Sequence, residues 1–213
     1  MKRAATISLL ICACATLPLP EPDYQGPYGK ALKKATRTVT LYSGLETRAF
    51  VRATYLSPEF VTAQAAELSR VRAEPPGETA ARLARMLGEA KTPSFFVAFH
   101  TPIKEWNDWQ DPSSVWRLAV DLGHGQIERP KVTRIDRPDP ELLTMYPYLD
   151  VYSIGYVLHF EGEPQPAPAA TLAGGTIQSA LGQVQFIAAG VLGLIKLEWA
   201  LPGATAQTSA DKK

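Results

Sequence analysis

Cysteine is nearly absent from this chain of 213 residues: Cys12 and Cys14 are the only two, and both lie close to the N-terminus. From Ala15 onward there is no thiol, which excludes disulfides, thiol catalysis and cysteine metal sites from the body. No charge sign is in excess, with 22 Lys+Arg against 21 Asp+Glu. A near-neutral chain has no electrostatic reason to seek nucleic acid. Among His100, His124 and His159 no pair sits at the i, i+4 spacing of a helical metal site, and a three-histidine zinc site would need all of them to converge. No metal or cofactor is expected. The serines Ser94, Ser113, Ser114 and Ser153 lie in no Gly-x-Ser-x-Gly turn. Long apolar runs are missing as well. Pro164 to Ile195 carries no charge, but Gly174-Gly175, Gln178, Gln183 and Gln185 interrupt it. Its densest apolar part, Phe186 to Ile195, is far below the ~20 residues that span a bilayer, so strands joined by turns fit better.

What is present begins at the N-terminus. Lys2 and Arg3 precede the apolar run Ala4 to Ile11, which ends in Ile11-Cys12-Ala13-Cys14. A positive start, a short apolar stretch and small residues at its end are the layout of an export signal. The segment resembles the signal peptide of bacterial lipoproteins, and the resemblance covers residues 1–14 alone. Cys14 matches the position that this family acylates, Ala13 the small residue before it and Ile11 the apolar residue before that. Cys12 departs from the usual Ala, Ser, Thr, Val or Ile. An ordinary secretory signal cut near Ala13 or Ala15 is the alternative. The resemblance implies a signal peptide over 1–13, an acyl anchor (palmitate and its kin) on Cys14, and a place in the bacterial cell envelope. Ala15 in place of aspartate resembles outer-membrane sorting. Cleavage would leave 200 residues with 20 basic and 21 acidic side chains, enough for one domain with a full core.

Residues 14–29 carry Pro18, Pro20, Pro22 and Pro27 and read as a lipidated, extended tether. The body is expected over 30–201. Thr36 to Tyr42 and the alternating run Leu45, Thr47, Ala49, Val51, Ala53, Tyr55 predict a hairpin turning at Ser43-Gly44. Ser57-Pro58-Glu59 is a helix start. Phe60, Val61, Gln64, Leu68 and Val71 make one apolar stripe. After Glu74-Pro75-Pro76-Gly77 a second stripe holds Ala80, Leu83, Met86, Leu87 and Ala90. These predict a two-helix hairpin over 57–91, inserted between strands, with Arg70, Arg72, Arg82 and Arg85 facing out. Strand signals then return at Phe95–Phe99, Val115–Leu122, Ile127–Ile135, Tyr152–Phe160 and Val191–Leu201. Pro130 makes the third an edge strand or a broken one. The polar tail 202–213 reads as disordered. The expected fold is mainly β, an antiparallel β-sandwich with an inserted helical hairpin, and an immunoglobulin-like order is one candidate.

Candidate chemistry is thin. Asp108, Asp111, Asp136, Asp139 and Glu141 sit in Pro-containing loops, where Asp-Pro pairs start turns. Trp106 and Trp109 stand among Asn107, Asp108, Gln110 and Asp111, and Trp116 follows on a strand. Indole planes beside amides and acids suit a sugar or peptide, and they suit equally a lid over the open end of a sandwich. The chain therefore reads as a lipid-anchored envelope protein with a non-catalytic binding or scaffolding domain. It would hold the membrane through its lipid and meet an envelope protein or a glycan. The alternatives are an envelope-polymer hydrolase using loop carboxylates and a carbohydrate or small-ligand module using Trp106 and Trp109. A hydrolase needs a cleft with converging carboxylates. A sugar module needs open indole faces, and a scaffold needs an apolar patch outside its core.

Overall fold

The computed structural model describes residues 22–123, 125–161 and 182–201. The signal-like segment, Cys12 and Cys14, the tether as far as Glu21, His124 and the tail lie outside the described residues.

The chain is a two-sheet β-sandwich with helices on one outer face. The first sheet has the order β1 (Thr36–Ser43), β2 (Glu46–Tyr55), β3 (Ser94–His100), β7 (Ile154–His159), β6 (Lys131–Ile135). The second has β5 (Gln126–Glu128), β4 (Trp116–Asp121), β8 (Gln183–Gly190), β9 (Gly193–Ala200). All pairings are antiparallel. The first three strands form a meander in one sheet, whereas immunoglobulin domains split theirs in the order ABED and CFG. The sandwich architecture is shared and the strand order is not.

The register explains the hydrophobic patterns. Between the sheets lie Ala49, Val51 and Ala53 of β2, Phe95, Val97 and Phe99 of β3, and Tyr156 and Leu158 of β7. They meet Trp116, Leu118 and Val120 of β4 and Phe186, Ile195, Leu197 and Trp199. The other face of β3, Phe96 and Ala98, meets the helices. A strand buried on both faces reads as a continuous apolar run, as Phe95–Phe99 does.

The helical hairpin forms where the sequence places it, as α2 (Pro58–Arg72) and α3 (Pro76–Glu89). Ser57 Oγ accepts from the Phe60 N–H at 3.2 Å, and Pro58 opens the first turn. Phe60, Val61, Gln64 and Leu68 are buried. α3 packs on α2 and has no fully buried residue, so it is an outer layer. Arg82 of α3 bonds Glu74, and Arg70 bonds Glu67.

Two helices were not legible. α1 (Pro27–Ala35) begins inside the stretch read as tether and buries Tyr28, Leu32 and Ala35. The Tyr28 hydroxyl donates to the Met145 carbonyl, and the Tyr24 hydroxyl to that of Thr144. The Asp23 N–H donates to Glu67 Oε1 at 2.6 Å. Bonds from Arg70 hold the Glu67 carboxyl below its usual range. Gly29 is required here, because a Cβ would overlap the Tyr24 main chain. α4 (Pro140–Met145) is capped by Asp139, whose Oδ1 accepts from the Leu142 N–H at 2.7 Å. Burial pushes the Tyr28, Tyr146 and Tyr148 hydroxyls well above the usual tyrosine range, keeping them as donors.

The run Ile127–Ile135 is indeed broken. Arg129, with φ 55°, and Pro130 make a corner at which the chain leaves one sheet for the other. β5 and β6 are thus short edge strands of opposite sheets.

Candidate functional site

Two adjoining features stand out from the core. The first is the end of the sandwich where β1 meets β2 and β8 meets β9. Antiparallel register brings Ser43, Glu46, His100 and Ile154 to that end of the first sheet. Leu41 packs against Gly193, and the Val115 carbonyl against Gly190, so the turns of both sheets touch there. His100 Nδ1 lies 2.9 Å from the Tyr152 carbonyl and ties in the segment before β7. Tyr42, Leu45, Val151, Tyr152 and Val191 crown this end at 63 % to 103 % exposure, with Ile103, Val115 and Leu194 partly exposed around them. Alternation predicted Leu45 and Tyr152 on the core face. The structure corrects this: β2 starts at Glu46 and β7 at Ile154, and both residues belong to the preceding turns.

The second feature is a cleft of about 720 Å³ beside β4. Its walls are Trp109, Gln110 and Ser114 from the β3–β4 loop, Trp116 to Leu118 of β4, and Glu128 to Pro130 at the corner. The cleft exists because β5 is shorter than β4. Even-numbered residues of β4 turn their main-chain groups toward β5. The Leu122 N–H reaches the Gly125 carbonyl at 3.2 Å, and the Leu118 carbonyl accepts from the Arg129 N–H at 3.3 Å. β5 ends at Glu128, opposite Ala119. Past that point the Leu118 N–H and the Trp116 carbonyl have no partner among the described residues. The Trp109 indole N–H is buried and likewise has no partner among the described residues. Buried polar groups of this kind are ordinarily paired. Arg117 pairs with Glu128, whereas Arg129 has no side-chain partner among the described residues.

The loop that walls the cleft is fixed. Asn107 Nδ2 donates to the Phe99 carbonyl at 3.1 Å. The Trp116 indole N–H donates to the Trp106 carbonyl at 3.0 Å. The Tyr156 hydroxyl lies 2.8 Å from Asn107 Oδ1, and burial pushes its pKa up to about 12, so it remains a donor.

The candidate residues fall out as follows. Trp109 is a core residue, 4 % exposed, whose ring stacks on Phe99 at 4.4 Å and on Tyr156 at 5.4 Å and meets Phe186 of the other sheet at 5.9 Å. The ring is not open for a sugar. Trp106 is half-buried in a 3-10 turn, Lys104–Trp106, so the two indoles form no joint platform. The loop acids are engaged locally. Asp108 accepts from Ser114, Asp111 from Ser113 and Asp136 from Arg134. Asp139 caps α4, and Glu141 pairs with Arg72. The Ser113 bonds hold the Asp111 carboxyl below its usual range. Ser94 Oγ meets His159 Nδ1 at 2.8 Å, but it also donates to the Thr92 carbonyl at 3.0 Å and is buried, so it presents no nucleophile. His100 and His159 lie at opposite ends of the sheet, because His159 registers with Ser94 and His100 closes β3. Among the described residues no three His, Cys, Asp or Glu groups could hold a metal, and no helix is long and apolar enough to cross a membrane.

Comparison with known proteins gives no match: no family model, no curated protein and no solved structure is similar to the chain.

Proposed function

We propose that this chain is a lipid-anchored protein of a bacterial cell envelope, with the outer membrane favoured, whose β-sandwich docks an envelope protein and catalyses nothing itself. The reading of the anchor rests on Ile11-Cys12-Ala13-Cys14. The reading of the domain is carried by one observation: five large apolar side chains, Tyr42, Leu45, Val151, Tyr152 and Val191, stand exposed in and beside the turns at one end of the sandwich. Large apolar side chains gathered at one end of a domain's surface mark an interaction surface. A protein suits it better than lipid, because Glu46 and Asp150 sit beside Leu45 and Val151. Hydrocarbon would have to take those carboxylates in, whereas the rim of a protein interface can pair them.

A photoreactive amino acid placed at Leu45, and separately at Val191, of the full-length protein in its own cells tests this. Both positions should trap a protein adduct of one size, and the same group at Glu89 on α3 should trap none. Val151→Asp should remove the adduct without lowering the melting temperature. Crosslinks to lipid alone, or no adduct at either position, defeat the proposal.

A further inference from the structure

We infer that the cleft beside β4 takes an extended peptide segment, added as a parallel strand where β5 stops. The inference rests on the reading of the domain as a protein-docking module, and it names the chemistry of what docks.

The Trp116 carbonyl and the Leu118 N–H are one acceptor and one donor, two residues apart on the same edge of a strand. In a parallel ladder one incoming residue donates its N–H to residue i−1 and accepts from the N–H of residue i+1. An incoming residue opposite Arg117 therefore satisfies both groups at once. Antiparallel addition fits less well. It would use both main-chain groups of Leu118 or both of Trp116, and each already has one engaged: the Leu118 carbonyl with Arg129, and the Trp116 N–H with Ser114 Oγ at 3.1 Å. Bare strand edges are usually covered or kept short, and this one is bare over a single donor–acceptor pair at the floor of a cleft.

The surroundings select further. The Trp109 N–H is a third group without a partner among the described residues; it is buried in the wall of the cleft, where its signal reports on what fills the space. Arg129 lines the cleft and has no side-chain partner among the described residues. Pro112, Pro130 and Val132 supply apolar walls. Main-chain bonds with alternate side-chain pockets are how sheets recognise extended peptides. The occupant is thus an extended peptide carrying a carboxylate side chain. A sugar is disfavoured, because the Trp109 ring is buried against Phe99, Tyr156 and Phe186.

The probe is a blocked five-residue peptide, two threonines and two valines around a central glutamate. It is added at about 1 mM, the level at which weak peptide contacts fill, to the full chain in detergent. Nuclear magnetic resonance follows the Leu118 amide and the Trp109 indole N–H. Both signals should move. N-methylation of the three central residues, one at a time, should weaken binding about tenfold at one position, where it removes the main-chain donor. Exchanging the central glutamate for lysine should weaken it by a similar factor. Arg129→Asn, which keeps a residue tolerant of positive φ, should abolish that preference. Unmoved signals, an N-methyl series that binds uniformly, or shifts confined to the apolar turns would overturn the inference. So would shifts produced by a chitin trisaccharide and not by the peptide. If the peptide binds but no adduct forms at Leu45 or Val191, the apolar-end reading fails and the strand-addition site stands.

Discussion

Trp109 shows how one residue can look like a binding group and serve as packing. Its neighbours Asn107, Asp108 and Gln110 are polar, which in sequence suggests a ligand platform. In the fold those polar groups bond to Phe99, Ser114 and Tyr156, and they hold the loop over the sandwich while the indole packs on Phe99, Tyr156 and Phe186. Stacked aromatic contacts of this kind add to the burial of the ring itself. Trp109→Ala should therefore cost about 3–5 kcal/mol, the range for truncating a buried aromatic. Trp116→Ala should cost a similar amount. Trp106→Ala, at a half-buried position, should cost roughly 1 kcal/mol, in line with the typical substitution. Thermal and urea melts of the three variants check the order. Equal small losses at Trp106 and Trp109 would show that the stack around Trp109 contributes little.

At the scale of elements, the strands and the helical hairpin were legible and their ends were not. Core alternation in β2 and β7 sets the phase of each strand, but it runs on through Leu45 and Tyr152, which the turns expose. An apolar residue one step past a strand end looks the same in sequence as one step inside it. The apolar end was hidden for this reason. α1 was hidden because nine residues opened by a proline hold too little local helix signal, and tertiary contacts through Tyr28 and Leu32 fix it. The cleft has no local signature either. It arises from the mismatch in length between β4 and β5, and Pro130 was the sole hint of it. The two stripes of the hairpin looked equivalent in sequence, yet α2 lies on the sheet and α3 lies on α2. Leu68→Asp should thus cost about 3 kcal/mol or more, as an unpaired charge enters a packed face. Leu83→Asp, on a half-buried face, should cost about 1 kcal/mol. Urea denaturation separates them, and equal losses would mean that α3 is packed as tightly as α2.

At the scale of the whole molecule, the question is how the domain sits against its membrane. Asp23 and Tyr24, just after Pro22, are tied to α2 and α4. Seven residues, 15–21, lie between Cys14 and Pro22, and the eight steps that join those two positions span at most about 29 Å. An acyl anchor at Cys14 would therefore hold the helical layer within one domain's width of the bilayer. A single acyl chain binds a membrane marginally and two or more bind it stably, since each buried methylene contributes about 0.8 kcal/mol. With the chains that a bacterial lipoprotein carries, the anchor would dominate every other membrane contact. Cys14→Ser should then free the domain from membranes washed in alkaline carbonate, or leave the signal uncleaved. Cys12→Ser should change neither processing nor retention, because cleavage before Cys14 would discard Cys12 with the signal. Mass measurement of the mature N-terminus, together with the carbonate wash, distinguishes the outcomes. A Cys14→Ser protein that has lost its signal and still resists the wash would show that the domain holds the membrane by its own surface, and the apolar end around Leu45 and Val191 would then have to be reassigned from protein to lipid.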